Sequence, residues 1–128
     1  MKGPTDIGRQ DGRRGASGKP EAAAPCAVVD TRHLECQVGG DLALRAELLE
    51  LYAGRLVALA PAVCGPPSLR RREAAHALKG ASLAVGAFPL ARLCESLETQ
   101  DGADARRGAR SLIEATRRCV AELLRPRD

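Results

Sequence analysis

Leu48, Leu49, Tyr52, Leu56, Leu59 and Val63 recur at intervals of three and four residues. A repeat of 3.6 residues gathers those side chains on one face, so the segment reads as an amphipathic helix. The same spacing returns in Leu69, Ala75, Leu78, Ser82 and Val85, then in Leu90, Leu93, Cys94 and Leu97. It returns again in Ala109, Leu112, Ile113, Thr116, Cys119, Val120 and Leu123. Four such stripes in 128 residues leave little chain for another architecture. With one Phe, one Tyr and no Trp, the core must be built from Leu, Ala and Val, with Tyr52 and Phe88 inside it. Leu and Ala are strong helix formers, and β-branched residues are sparse. The fold class expected is all-α.

Punctuation places the elements. Asp30 or Thr31 caps a short helix through about Val38, anchored by Leu34 and stopped by Gly39-Gly40. The second helix runs from about Asp41 to Val63, with Arg45, Glu47, Glu50 and Arg55 on its wet side. Pro61 should loosen its last turn or end it early, because proline has no N–H to donate. After the turn Cys64-Gly65-Pro66-Pro67, Ser68 caps a third helix that ends at Gly86. The fourth spans about Phe88 to Thr99 or Asp101 with Pro89 in its first turn, and Asp101-Gly102 breaks it. The fifth spans about Ala103 to Arg125 and Pro126 stops it. Short links between long helices imply an antiparallel up-down four-helix bundle, with the short first helix as an extra N-terminal element at one end. The domain expected covers residues 28–128. Residues 1–27 form a Gly-, Arg- and Pro-rich tail expected to be disordered.

Charge and motifs exclude several function classes. The net charge of +4 divides between the ends: five Lys/Arg against three acids in residues 1–27, fifteen against thirteen in the rest. This excess is weak for a nucleic-acid binder, and aromatics for base stacking are few. The stretch from Gly12 to Pro20 is near a phosphate-binding loop, but Arg13 and Pro20 stand where Gly and Ser or Thr are needed. The 128 residues contain no other nucleotide motif, so an autonomous kinase is disfavoured. No apolar run approaches 18 residues and the N-terminus lacks a hydrophobic segment, so neither a membrane span nor a secretory signal is expected. Five cysteines without paired spacing suit a reduced, cytoplasmic setting. His33 and Cys36 share a helix face, but two ligands do not make a metal site.

One stretch departs from the economy of the rest. Arg72 to Ala87 reads as a helix, yet Gly80 sits in its middle, where it costs about 1 kcal/mol against alanine. His76, one turn earlier, is offset from the buried stripe by roughly 100° and points outward. Its surface neighbours are Arg72, Glu73, Lys79, Gly80 and Leu83. A neutral imidazole is a competent nucleophile toward an activated phosphoryl group. Phosphoryl transfer otherwise asks mainly for positioning and charge neutralisation, which Lys79 can supply. Gly80 leaves room for a partner, and Leu83 offers it an apolar contact. Arg70-Arg71-Arg72 reads as a solvated face able to complement an acidic partner.

The segment Ala75-His76-Ala77-Leu78-Lys79-Gly80-Ala81-Ser82, followed by Val85-Gly86-Ala87, resembles the histidine-containing phosphotransfer (HPt) domain of bacterial two-component phosphorelays. Leu90 to Glu98 is similar to the family's next helix, and Val28-Val29-Asp30 and Glu47 to Tyr52 are similar to family sequences too. The resemblance covers about residues 28–124. It implies that His76 is the phospho-acceptor, that Lys79 stabilises the phosphoryl group and that Gly80 admits the partner. Arg72, Glu73 and Leu83 would lie in the docking surface. The implied partners are response-regulator receiver domains and a hybrid or sensor histidine kinase, with no nucleic acid and no membrane. No cofactor of its own is implied, since Mg²⁺ comes with the receiver. The chain would be a phosphoryl carrier rather than an enzyme, and a monomer is expected. Ala77 and Ala81 stand where the family commonly has small hydroxylated residues. The competing reading is a helical adaptor or inhibitor that docks on a receiver or kinase without being phosphorylated.

Overall fold

A computed structural model describes residues 27–99 and 103–126. The expectations for the tail, for the Gly12–Pro20 stretch and for the Asp101-Gly102 break lie outside those residues. Among the described residues five helices follow one another: α1 (Thr31–Val38), α2 (Leu42–Val63), α3 (Leu69–Val85), α4 (Phe88–Thr99) and α5 (Ala103–Leu124). No strand occurs among the described residues. The regular structure of the described residues is all-helical, as the periodicity requires.

The caps fall where the sequence puts them. The Asp30 carboxylate accepts from the N–H groups of Arg32 and His33, satisfying donors that the first turn of α1 leaves orphaned. Asp41 and Ser68 do the same for α2 and α3 through Leu44 and Arg71. Gly39 and Gly86 end α1 and α3 in the left-handed conformation, at φ 59° and 88°. The Gly86 turn is doubly constrained. The N–H of Ala87 donates back to the Ser82 carbonyl at 2.8 Å, and the Gly86 carbonyl accepts from Asp30 N–H at 2.8 Å. A Cβ on Gly86 would lie 2.7 Å from the Asp30 carbonyl oxygen. Only glycine fits both the angle and the space.

The helices pack as a closed ring of neighbours: α2 on α3, α3 on α4, α4 on α5 and α5 on α2, with α1 lying on α2 and α3. The core inside the ring is largely aliphatic. Leu34, Leu49, Leu56, Leu78, Leu90 and Leu97 are fully buried, joined by Val63, Val85 and Val120. Tyr52 carries polarity into it, and its hydroxyl hydrogen-bonds the Ser82 hydroxyl at 2.7 Å. Burial pushes the phenol up to about 12, with the Ser82 bond pulling weakly the other way. Burial likewise pushes the Cys94 thiol up to about 12.

Four expectations need correction. Leu69 is 61% exposed, whereas Arg71, expected in a solvated run, is 1% exposed. The two exchange places because α3 begins beyond the end of the core. Arg71 lies under the Cys64–Gly65 turn and donates toward the Gly65 carbonyl, while its methylenes fill the space a leucine would take. Arg45 is not on a wet face either. It is half-buried, pairs with Glu35 at 2.8 Å and donates to the Leu123 carbonyl at the end of α5. The end of α2 falls at Val63 as expected, two residues past Pro61. Phe88 is half-buried rather than core, with its ring edge-on to His33 at 5.1 Å. Cys119 is disulfide-bonded, against the reduced state expected, while Cys36, Cys64 and Cys94 are free. Among the described residues no helix is long and apolar enough to cross a membrane.

Gly86→Ala tests the double constraint. It should lower the unfolding free energy by about 1–3 kcal/mol in a denaturant titration, through left-handed strain and the clash with Asp30. Gly39→Ala meets strain without a clash and should cost less.

Candidate functional site

His76 lies on α3 with its side chain 72% exposed. Its Nδ1 is 2.8 Å from Oε1 of Glu98, near the C-terminal end of α4. The other Glu98 oxygen, Oε2, is 2.8 Å from Nζ of Lys79. One carboxylate thus holds both residues that the sequence singled out. The Lys79 and Glu98 side chains are 26% and 19% exposed, so the pair lies low in the α3–α4 seam while the imidazole stands above it.

The register of the α3–α4 hairpin explains the meeting. His76 precedes Ala87 by eleven residues (87 − 76) and Glu98 follows it by eleven (98 − 87). Lys79 and Glu95 are likewise equidistant from Ala87, by eight residues (87 − 79 and 95 − 87), and the Glu95 charge is felt at Lys79. Glu98 was missed in the sequence because no local spacing connects residues 22 apart. The signal that finds it is this symmetry about the Gly86-Ala87 turn.

The electrostatics follow from the geometry. The Lys79 ammonium, with the His76 ring beside it, holds the Glu98 carboxyl below the usual carboxylate range. Glu98 in turn holds the Lys79 ammonium above its ordinary value. Glu98 is therefore ionised at neutral pH and can only accept hydrogen bonds. A neutral His76 must then carry its proton on Nδ1, leaving the Nε2 lone pair as the free acceptor. Nε2 has no protein partner among the described residues.

Gly80 is exposed, and a Cβ built on it would meet nothing within 4 Å. Close packing within the chain therefore does not account for it. Leu83 is 45% exposed, and Arg72 and Glu73 are exposed on the preceding turns of α3. Beside Lys79 a shallow groove runs along the seam, lined by Leu83, Phe88, Ala91, Arg92 and Glu95. Of the three arginines, Arg70 and Arg72 face solvent and Arg71 does not. Among the described residues no three of His, Cys, Asp and Glu gather as metal ligands, so His33 and Cys36 stay without a third.

The helical bundle lifts one histidine clear of its surface, beside a lysine and a bare glycine. Residues 70–125 match the model of the Hpt domain family. No curated protein and no solved structure matches the chain. The family works in histidine phosphotransfer within phosphorelays, as a carrier that interacts with receiver and kinase domains.

The shared carboxylate predicts a pH response. Because Glu98 titrates lower when folded, its contribution to stability is present above the unfolded carboxylate pKa and is lost as pH falls through the folded value. The raised Lys79 pKa gives a contribution present below the unfolded lysine pKa and lost only as pH rises through the folded value. Both are in place at neutral pH. Glu98→Gln should therefore show a smaller fall in melting temperature between pH 7 and pH 3 than the parent. An equal fall in both proteins would show that Glu98 contributes nothing to the acid limb.

Proposed function

We propose that this chain relays a phosphoryl group through His76, to and from aspartates of receiver domains in a two-component phosphorelay. The observation that carries the reading is the His76 ring, with Nδ1 tied to an ionised carboxylate and Nε2 left toward solvent beside Lys79 and Gly80. The Nε2 lone pair attacks the phosphorus of an aspartyl phosphate. The N–P bond forms, the P–O bond to the aspartyl carbonyl breaks, and the aspartate carboxylate leaves. The ring keeps its Nδ1 proton and becomes a phosphoimidazolium whose positive charge faces Glu98. The reverse steps return the group to a receiver.

Each other residue has a part in this reading. Lys79 neutralises phosphoryl oxygen charge, which requires its ammonium to swing from Glu98 toward Nε2. Gly80 gives the receiver's loops room to approach, and Arg72, Glu73 and Leu83 rim the contact. The Mg²⁺ of the reaction comes with the receiver's acidic pocket, and this chain supplies no cofactor. The domain spans residues 28–128 and works in the cytoplasm as a carrier without ATP-binding machinery. The antiparallel up-down arrangement of α2–α5 is supported by Arg45 of early α2 meeting Leu123 of late α5, and by His76 of α3 meeting Glu98 across the α3–α4 turn. A docking adaptor would have no use for a solvent-facing Nε2 in this setting.

Incubation with a phosphorylated receiver should place an acid-labile, base-stable label on the parent chain and none on His76→Gln; equal labelling of the two would overturn the carrier reading. Gly80 separates function from stability. Gly80→Ala should raise the unfolding free energy by about 0.5–1 kcal/mol, since it removes only a helix penalty. Gly80→Leu should keep full helicity yet slow transfer by about tenfold or more, a barrier increase of about 1.4 kcal/mol. Unchanged transfer in Gly80→Leu would exclude close approach at this point.

A further inference from the structure

The opposite side of the ring carries a second surface that the phosphotransfer reading leaves unused. The C-terminal half of α2 is apolar on its outer face as well as its inner one. Leu51 is 65% exposed and Val57 60%. From Leu56 to Val63 the helix contains no charged residue, although Val57, Ala58 and Pro61 face solvent. A helix apolar all round is ordinarily covered on both sides. Beside this half of α2 lies a groove shared with α5, floored by Leu56 and Ile113 and edged by Val57, Pro61, Arg110 and the ion-paired Glu114 and Arg117. Gly54, near the middle of α2, is exposed, and a Cβ there would meet nothing within 4 Å. The N-terminal half of the same face carries exposed Glu47 and Glu50. Neither glutamate, nor Arg110, forms an ion pair among the described residues.

We propose that this face is a two-fold interface between two copies of the chain, with α2 crossing its counterpart antiparallel at Gly54. An isologous contact needs a self-complementary patch. Centred on Gly54, an antiparallel crossing sets residue i against residue 108 − i. Leu51 then meets Val57 of the second copy, and each buries the other's exposed apolar surface. Glu50 and Glu47 fall against Ala58 and Pro61 of the second copy, at the groove edge where Arg110 stands. Acid meets base at both ends by the same symmetry. Glycine at the crossing lets the backbones approach, as the absence of a Cβ allows. Under this pairing residues 45–63 overlap over about 28 Å, and α2 with the neighbouring α5 is about 20 Å wide, which offers on the order of 550 Å² per chain, in the range of weak but specific interfaces. The α3–α4 seam lies across the ring from α2–α5, so His76 stays open in both copies. The inference does not rest on the phosphotransfer reading.

The test is sedimentation of the full chain from about 1 to 200 μM. The expected result is a concentration-dependent approach to twice the 13.5 kDa of one chain. Leu51→Arg should shift the midpoint at least tenfold toward monomer with an unchanged helical circular-dichroism spectrum. Glu50→Arg and Arg110→Glu should each weaken self-association. An equimolar mixture of those two variants should restore it, because both pairs between positions 50 and 110 in the mixed dimer are again acid against base. A monomer across the whole range, a Leu51→Arg protein that associates like the parent, or a mixture no tighter than its components would each overturn the proposal. Binding of a different protein at this face with no self-association would overturn it too.

Discussion

The left-handed turn at Gly86 sets the geometry on which the site depends. Its φ of 88° and its contact with Asp30 admit only glycine, and the two hydrogen bonds around it lock α1, α3 and α4 into one corner. A slip of one residue at that turn would rotate α4 by about 100° and carry Glu98 away from His76. The core follows from the same corner, where Leu78, Val85, Leu90 and Leu97 are buried in one cluster. Function and folding therefore share a constraint that is backbone geometry rather than chemistry.

Within that frame, the carboxylate of Glu98 does two things with one charge. It fixes which nitrogen of His76 carries the proton, and it parks Lys79 within reach without spending the lysine on solvent. Neither contact is deeply buried, so neither contributes much to stability. Their value is positional: a ring with a defined tautomer and a cation one side-chain swing away.

Much of this was legible in the sequence because the signals were local. Asp30, Ser68, Gly39 and Gly86 marked helix ends through the hydrogen-bonding needs of any helix terminus. His76, Lys79 and Gly80 were placed outward by counting residues from Leu78. What escaped were features that depend on where the bundle ends or on how helices register. Leu69 and Arg71 exchanged roles because periodicity does not say where the core stops. Arg45 was drawn in by the neighbouring end of α5, a contact between residues 78 apart. Glu98 needed the hairpin's symmetry, which appears only once the turn is fixed at Gly86-Ala87. The disulfide at Cys119 carried no spacing signature at all.

The site's containment in a single hairpin has an evolutionary consequence. On the proposed reading, the chemistry occupies one unbroken stretch of chain from His76 to Glu98 and borrows no side chain from α2 or α5. Selection on the outer helices can therefore change oligomeric habit, surface charge or stability without touching the reacting group. The α3–α4 hairpin is self-contained as a unit, and the rest of the ring can change around it so long as it continues to cover the same row of leucines.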